Sequence, residues 1–203
     1  MLKIYGTAMS RASRTLWAAE ELGLKYEHIP VGFGDGGTRT PEYLKVNPNG
    51  HVPAIDDDGV VLCESMAINL YLCEKYGKAP MWPASVADRG RAYQWSFWGM
   101  METEGPLLSV FQNRMMRPEG ERDEKAAVAG LEALKKPLKV LDDHLKGRAW
   151  LLGSDFTVAD LNVAGVLILA PLISVDLSYV PTAKAWLDKC FARPALQKSR
   201  ANS

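Results

Sequence analysis

Three short stretches of this sequence carry side chains that could act on a ligand. The first, Gly6-Thr7-Ala8-Met9-Ser10-Arg11-Ala12-Ser13-Arg14, brings two hydroxyls to the junction where an apolar run ends and a helical pattern begins. Backbone N–H groups and the helix dipole favour negative charge at such a junction, so Ser10 or Ser13 could steady an anion such as a thiolate. Serine is also a favoured N-cap, and capping by Ser13 with Ser10 filling the loop explains the same residues without chemistry. The second stretch is Val52-Pro53, at the start of an apolar run where an edge position tolerates proline. A cis bond there would turn the Val52 backbone outward and offer its N–H and C=O to a ligand. The third is Glu64-Ser65, directly ahead of another helical pattern. Ser65 reads as the N-cap, the N–H groups behind it suit a carboxylate, and Glu64 could accept from an ammonium. Capping alone accounts for Ser65 equally well.

These residues need a scaffold, and the first third of the chain alternates strand and helix signals. Residues 2–5 form a short β-compatible run ending at Gly6. Residues 13–22 place Leu16, Trp17, Ala19 and Leu22 at helical spacing and stop at Gly23. A strand pattern over 26–31, a polar glycine-rich loop over 32–40 and a short helix over 41–44 follow. Asn47-Pro48-Asn49-Gly50 is a turn, 52–55 reads as a strand, and Asp56-Asp57-Asp58-Gly59 connects it tightly to 60–63. A helix over 65–76 closes at Gly77. The order β-α-β-α-β-β-α dictates a mixed sheet, because strands joined through a helix run parallel and hairpin strands antiparallel.

Beyond a linker bearing Pro80 and Pro83, strand signals nearly vanish. Residues 89–116 are helical, with Trp95, Trp98 and Met101 expected on one face. Leu131, Leu134, Leu138, Leu141 and Leu145 make an amphipathic stripe that Pro137 should kink. Residues 156–161 form a capping box, with Thr157 as N-cap, Asp160 at the third helical position and Phe156 stapled to Leu161. The helix this box starts is apolar on every side, which belongs in the centre of a bundle.

Composition excludes several classes. Lys+Arg 24 against Asp+Glu 24 leaves no basic excess for nucleic acid or an anionic membrane surface. Cys63, Cys73 and Cys190 are far apart with no Cys-x-x-Cys, so neither a disulfide framework nor a metal site is expected. The chain opens without a signal-like stretch, and its longest apolar run, 163–173, is far short of the ~20 residues a membrane span needs. A cytoplasmic protein with no membrane or nucleic-acid partner is expected.

Together, Val52-Pro53, Glu64-Ser65, the capping box over 156–160 and the Trp150-Leu151-Leu152-Gly153 segment before it resemble the cytosolic glutathione S-transferases, in their bacterial, Ser-type (theta/beta-like) form. The resemblance implies an α+β protein. Residues 1–77 would be a thioredoxin-like βαβ-α-ββα domain that binds glutathione, 78–88 a linker, and 89–203 an all-helical bundle. It implies glutathione as co-substrate. Val52 would pair with its cysteinyl backbone beside cis-Pro53. Ser65 and the helix end would hold the γ-glutamyl carboxylate, and Glu64 the ammonium. Arg39 and His51 lie where the family puts groups for the glycyl carboxylate, although Arg39 also reads as a solvated loop residue and His51 as a strand-edge residue. Ser10 would activate the thiol, with Tyr5 and Ser13 as alternatives. No cysteine and no Ser-Ser-Cys signature occupy this stretch, which argues against Cys-type chemistry. A small hydrophobic electrophile would bind near Trp98, Met101 and Phe111, beside Trp95 and Glu102, although most such stripes are core. The implied activity is detoxifying thiolate attack on that electrophile by a homodimer. A glutathione-dependent disulfide or peroxide reductase, or a non-catalytic binding module, are the alternatives.

Overall fold

The computed structural model describes residues 1–32, 34 and 36–201; Phe33 and Asp35 of the expected 32–40 loop, and Asn202 and Ser203, lie outside the described residues. The chain divides into two compact units, 1–84 with 192–203, and 85–191.

In the first unit, β1 (Leu2–Tyr5) pairs parallel with β2 (Tyr26–Ile29) and antiparallel with β3 (Ala54–Asp57), and β3 pairs antiparallel with β4 (Val60–Cys63), giving the order β2-β1-β3-β4. The parallel pair is joined through α1 (Ala12–Glu21), as the crossover requires. The β3–β4 connection puts Asp58 at φ 52° and Gly59 at φ 92°. Two positive φ values in a two-residue loop match the right-handed twist of the flanking strands. α2 (Pro41–Val46) starts on a Thr40 cap, with proline in its first turn where the missing N–H costs nothing. α3 (Ser65–Tyr76) follows β4. Leu2, Ile4, Leu16, Ala19, Ile55, Ile68 and Leu72 form the core between the sheet and the helices. Each of the large side chains among them contributes roughly 1.5–3 kcal/mol by leaving water.

Two departures from the sequence expectation concern packing in the first unit. Residues 192–203 were expected with the helical half. Instead α9 (Pro194–Ala201) packs on α1, because Arg193 grips Glu21 through Nε at 2.6 Å and Nη2 at 2.7 Å, and Lys198 meets Glu20 at 2.6 Å. Both glutamates are nearly buried, at 8% and 4% side-chain exposure, so each needs its cation.

Asp57 was expected in the hairpin connection. It ends β3 with its side chain 1% exposed, accepting from Lys75 Nζ at 2.7 Å, Tyr71 at 2.9 Å and Tyr76 at 2.8 Å. Burial pushes its carboxyl upward, but the hydrogen bonds from Lys75, Tyr76 and Tyr71 outweigh burial and hold it below the ordinary range. A depressed folded pKa stabilises the fold above the unfolded value, and that stability is lost as pH falls from about 4 through the folded pKa. Asp57→Asn should therefore lose about 2 kcal/mol at neutral pH and show a shallower acid limb in urea titrations across pH. An acid limb as steep as wild type would refute this assignment.

The second unit contains α4 (Val86–Trp98), a π-helical turn (Gly99–Glu104), α5 (Gly105–Phe111), a second π-helical stretch (Gln112–Met116), α6 (Glu124–Leu145), α7 (Val158–Val166) and α8 (Pro181–Phe191). α6 runs on through Pro137 as one continuous helix, with Pro137 buried inside it. Every residue of α7 is buried, as its all-round apolar pattern requires. The capping box is present, with Thr157 N–H donating to Asp160 Oδ2 at 3.0 Å and Ala159 N–H to Thr157 Oγ1 at 3.2 Å. Asp160 also receives Leu151 N–H at 2.8 Å and Trp186 Nε1–H at 2.9 Å, so one carboxylate ties three segments together. Among the described residues, no helix is long and apolar enough to cross a membrane, and no cluster of His, Cys, Asp or Glu could hold a metal ion.

Candidate functional site

The end of β1 sets the geometry. Gly6 has φ +126°, and a side chain there would lie 2.6 Å from Ala12 Cβ, 3.0 Å from Val52 Cβ and 3.4 Å from Ser10 Oγ. Glycine at this position therefore lets the Ser10 loop and the Val52 turn converge on one strand end.

Ser10 Oγ donates to Thr7 O at 2.7 Å and accepts from Ala12 N–H at 3.1 Å, so Ser10, rather than Ser13, makes the capping-type bond at the start of α1. Ser13 is already the second residue of the helix and buried, because α1 begins one residue earlier than its apolar spacing suggested. Tyr5 is half-buried in β1, opposite Ala54 of β3, with its ring 6.1 Å from that of Tyr43.

Around Val52 the backbone is held from one side. The Val52–Pro53 bond is cis, and Pro53 is buried. The His51 carbonyl accepts from Tyr43 Oη at 2.6 Å and Asn47 Nδ2 at 2.7 Å, while the residue itself is exposed. Burial pushes the Tyr43 hydroxyl up to about 12, partly offset by Asn47, so it is a protonated donor at neutral pH. Arg39, exposed, lies over the 49–50 turn with Nη1 3.4 Å from Asn49 O and where a Gly50 side chain would be.

At α3, Glu64 rather than Ser65 is the N-cap residue, and its side chain makes no cap bond. Glu64 sits at φ 72°, ψ 111°, a conformation that costs a non-glycine residue of order 1–3 kcal/mol. Ser65 is the first helical residue, 3% exposed, and its Oγ receives Arg14 Nη1 at 3.3 Å. Among the described residues, the N–H groups of Ser65, Met66 and Ala67 have no partner, as expected of a first helical turn. Arg14 is itself buried, and its carbonyl receives Asn69 Nδ2 at 3.4 Å, which ties α1 to α3 beside this helix end. The α3 start thus combines backbone donors, a hydroxyl and a cation, a set suited to a carboxylate.

A family model for the N-terminal domain of glutathione S-transferases matches residues 1–74, and one for the C-terminal domain matches 95–194. The chain belongs to the glutathione S-transferase family. It is 34% identical to a probable glutathione S-transferase of rice, GSTF2, over 97% of this chain and 94% of that one. It is 30% identical to glutathione S-transferase GstB of Escherichia coli, over 98% and 97%. Among solved structures, the theta class glutathione S-transferase of Xanthomonas axonopodis pv. citri, with glutathione bound, superposes with a TM-score of 0.91 at 31% identity, covering 100% of this chain and 98% of that one.

Within this transferase the structure brings together Ser10 and Val52, and separately Arg14 and Ser65. Arg14, Tyr43 and Asn47 carried no assignment from the sequence. Arg14 lies within the 6–14 stretch, and its sequence signal is a charged residue placed among the apolar positions of α1. In the second unit, Trp95 is buried, with its ring 4.9 Å from that of Trp98 and 4.6 Å from that of His144. Met101, expected on the same face, is 79% exposed, because the π-helical turn over 99–104 widens the spiral and breaks the three-residue spacing. Phe111 is half-buried at the end of α5. Of the cysteines, Cys63 is half-buried at the end of β4, opposite Ala54. Burial pushes the Cys73 thiol up to about 12, and Cys190 is buried.

Proposed function

We propose that this transferase binds glutathione on its first unit and activates the thiol with Ser10 for attack on a small hydrophobic electrophile. The observation that carries this reading is the convergence of Ser10 Oγ and Val52 around Gly6. Val52 would pair with the cysteinyl backbone. The α3 start, with Ser65 and Arg14, would hold the γ-glutamyl carboxylate, and the exposed Glu64 its ammonium. Arg39 and His51, both exposed beside the 47–51 turn, would take the glycyl carboxylate.

Energetics allow the chemistry. A free thiol titrates near ~8.5, and lowering it by about two units takes roughly 2.7 kcal/mol of preferential thiolate stabilisation. One hydroxyl hydrogen bond to a charged group supplies about 1.5–3 kcal/mol. The start of α1 adds several tenths of a kcal/mol, to about 1. To reach sulfur, the Ser10 O–H rotates away from Thr7 O while its oxygen keeps the Ala12 N–H. The electrophile would sit near Trp98, Met101 and Phe111. Exposed Val86, Tyr93 and Phe97 recur at intervals of seven and four along α4, an apolar stripe that supports a homodimer. A detoxifying role in the cytoplasm fits this chemistry.

Calorimetry with glutathione, alongside turnover of 1-chloro-2,4-dinitrobenzene, tests the reading. Micromolar to sub-millimolar binding with conjugation is expected. Binding without turnover would point to a non-catalytic module, and turnover of hydroxyethyl disulfide or cumene hydroperoxide alone to a reductase. No binding at millimolar glutathione would end the proposal. Sedimentation velocity checks the dimer, and a monomer at micromolar chain concentration would reject it.

A further inference from the structure

The His51–Val52 peptide is trans, since the cis bonds are Val52–Pro53 and Ala79–Pro80. In a trans peptide the C=O and the following N–H share a plane and point opposite ways. Tyr43 Oη at 2.6 Å and Asn47 Nδ2 at 2.7 Å draw the His51 carbonyl to one side, so the Val52 N–H faces the other. Among the described residues, no hydrogen bond uses the Val52 N–H or C=O. Asn47 is itself fixed, 2% exposed, with Oδ1 accepting Asn49 N–H at 3.1 Å. Two donors on one carbonyl exceed what closing a four-residue turn requires, and the second comes from α2 rather than from the turn.

We infer that Tyr43 and Asn47 are positioning residues for the thiol co-substrate: their joint grip on the His51 carbonyl fixes the plane of the His51–Val52 peptide and aims the Val52 N–H at the extended backbone of the bound peptide. This rests on the reading that Val52 pairs with glutathione. Without the grip the peptide plane rocks, and pairing must first order it, which weakens binding without touching the reacting atoms.

The test is calorimetry with S-methylglutathione, which has no thiol and so leaves thiol activation out of the measurement. Tyr43→Phe keeps the ring and removes only the donor. Its dissociation constant should rise about 5- to 10-fold, in line with one lost hydrogen bond. The KM for glutathione should follow it, while kcat and the KM for the electrophile stay within about twofold. Tyr26→Phe is the control. It removes a hydroxyl bond to Glu20 at 2.9 Å, elsewhere in the same unit, and should lower thermal stability without moving the dissociation constant. Asn47→Ser keeps a short acceptor for the Asn49 N–H while giving up the reach to His51, and should weaken binding similarly. The double variant should lose more than either. An unchanged constant in Tyr43→Phe, or equal losses in Tyr43→Phe and Tyr26→Phe, overturns the positioning role while leaving glutathione binding standing. Failure of the wild-type chain to bind S-methylglutathione overturns both.

Discussion

Ser10→Ala should lower conjugation of glutathione to 1-chloro-2,4-dinitrobenzene at neutral pH by about 10- to 100-fold, the kinetic equivalent of one hydrogen bond to a thiolate. Glutathione affinity should stay within about threefold, because the proposed contacts at Val52 and Ser65 are untouched. Ser10 also accepts the Ala12 N–H, so a loss of activity by itself has two readings, thiol activation and a loosened start of α1. Alanine at such a capping position costs about 1 kcal/mol of stability, which would lower the melting temperature by a few degrees. The pH profile separates them. If Ser10 stabilises the thiolate, the deficit shrinks as pH rises through the ordinary thiol range near ~8.5, where the substrate ionises unaided. A damaged helix start gives a deficit independent of pH. Activity equal to wild type at neutral pH would remove Ser10 from the mechanism, and Tyr5→Phe and then Ser13→Ala would be the next variants.

The largest expected effect on stability is at Asp160. Its carboxylate receives N–H groups of Leu151 and Thr157, the Thr157 hydroxyl at 3.1 Å and the Trp186 indole, all buried. Asp160→Ala strands these donors together at a position that is fully buried. An unsatisfied buried donor costs about 1–3 kcal/mol, and partial relaxation makes the sum less than additive, so about 4 kcal/mol is expected. For a chain of this size that corresponds to a fall of about 10 °C in melting temperature. Asp160→Asn should do little better, since its amide group presents a donor to donors. Differential scanning calorimetry decides the matter, and a fall of less than about 3 °C would show that the network is dispensable.

Much of the architecture could be read from the chain because its signals are local. The helical spacing of Leu16, Trp17 and Ala19, the Asp58-Gly59 hairpin and the Thr157–Asp160 box each depend on residues within a few positions. Boundaries slipped where a backbone bond outranked side-chain pattern. The expected strand over 52–55 is Ala54–Asp57, because Val52 stands outside the ladder and proline cannot donate to it. Ser65 read as an N-cap by type, but the cap position falls on Glu64 in a strained conformation that its residue type does not advertise. Arg14 was invisible as a partner of Ser65, since the two are separated by 51 residues and meet only once α1 and α3 pack. Tyr43 and Asn47 read as helix and turn residues. Their common target is a backbone carbonyl, and a main-chain acceptor leaves no mark on the sequence.

The grip of Arg193 and Lys198 on α1 has a consequence for the order in which the chain matures on the ribosome. Glu20 and Glu21 are synthesised early, but their cations emerge only after residues 85–191 have been made. Until then the sheet and α1 exist with two carboxylates that cannot be withdrawn from water without loss. Nascent chains arrested before Arg193 should hold a protease-sensitive first unit, and release of the last helix should close it. The segment from Arg193 to Lys198 is thus expected to latch a unit begun by β1 and α1.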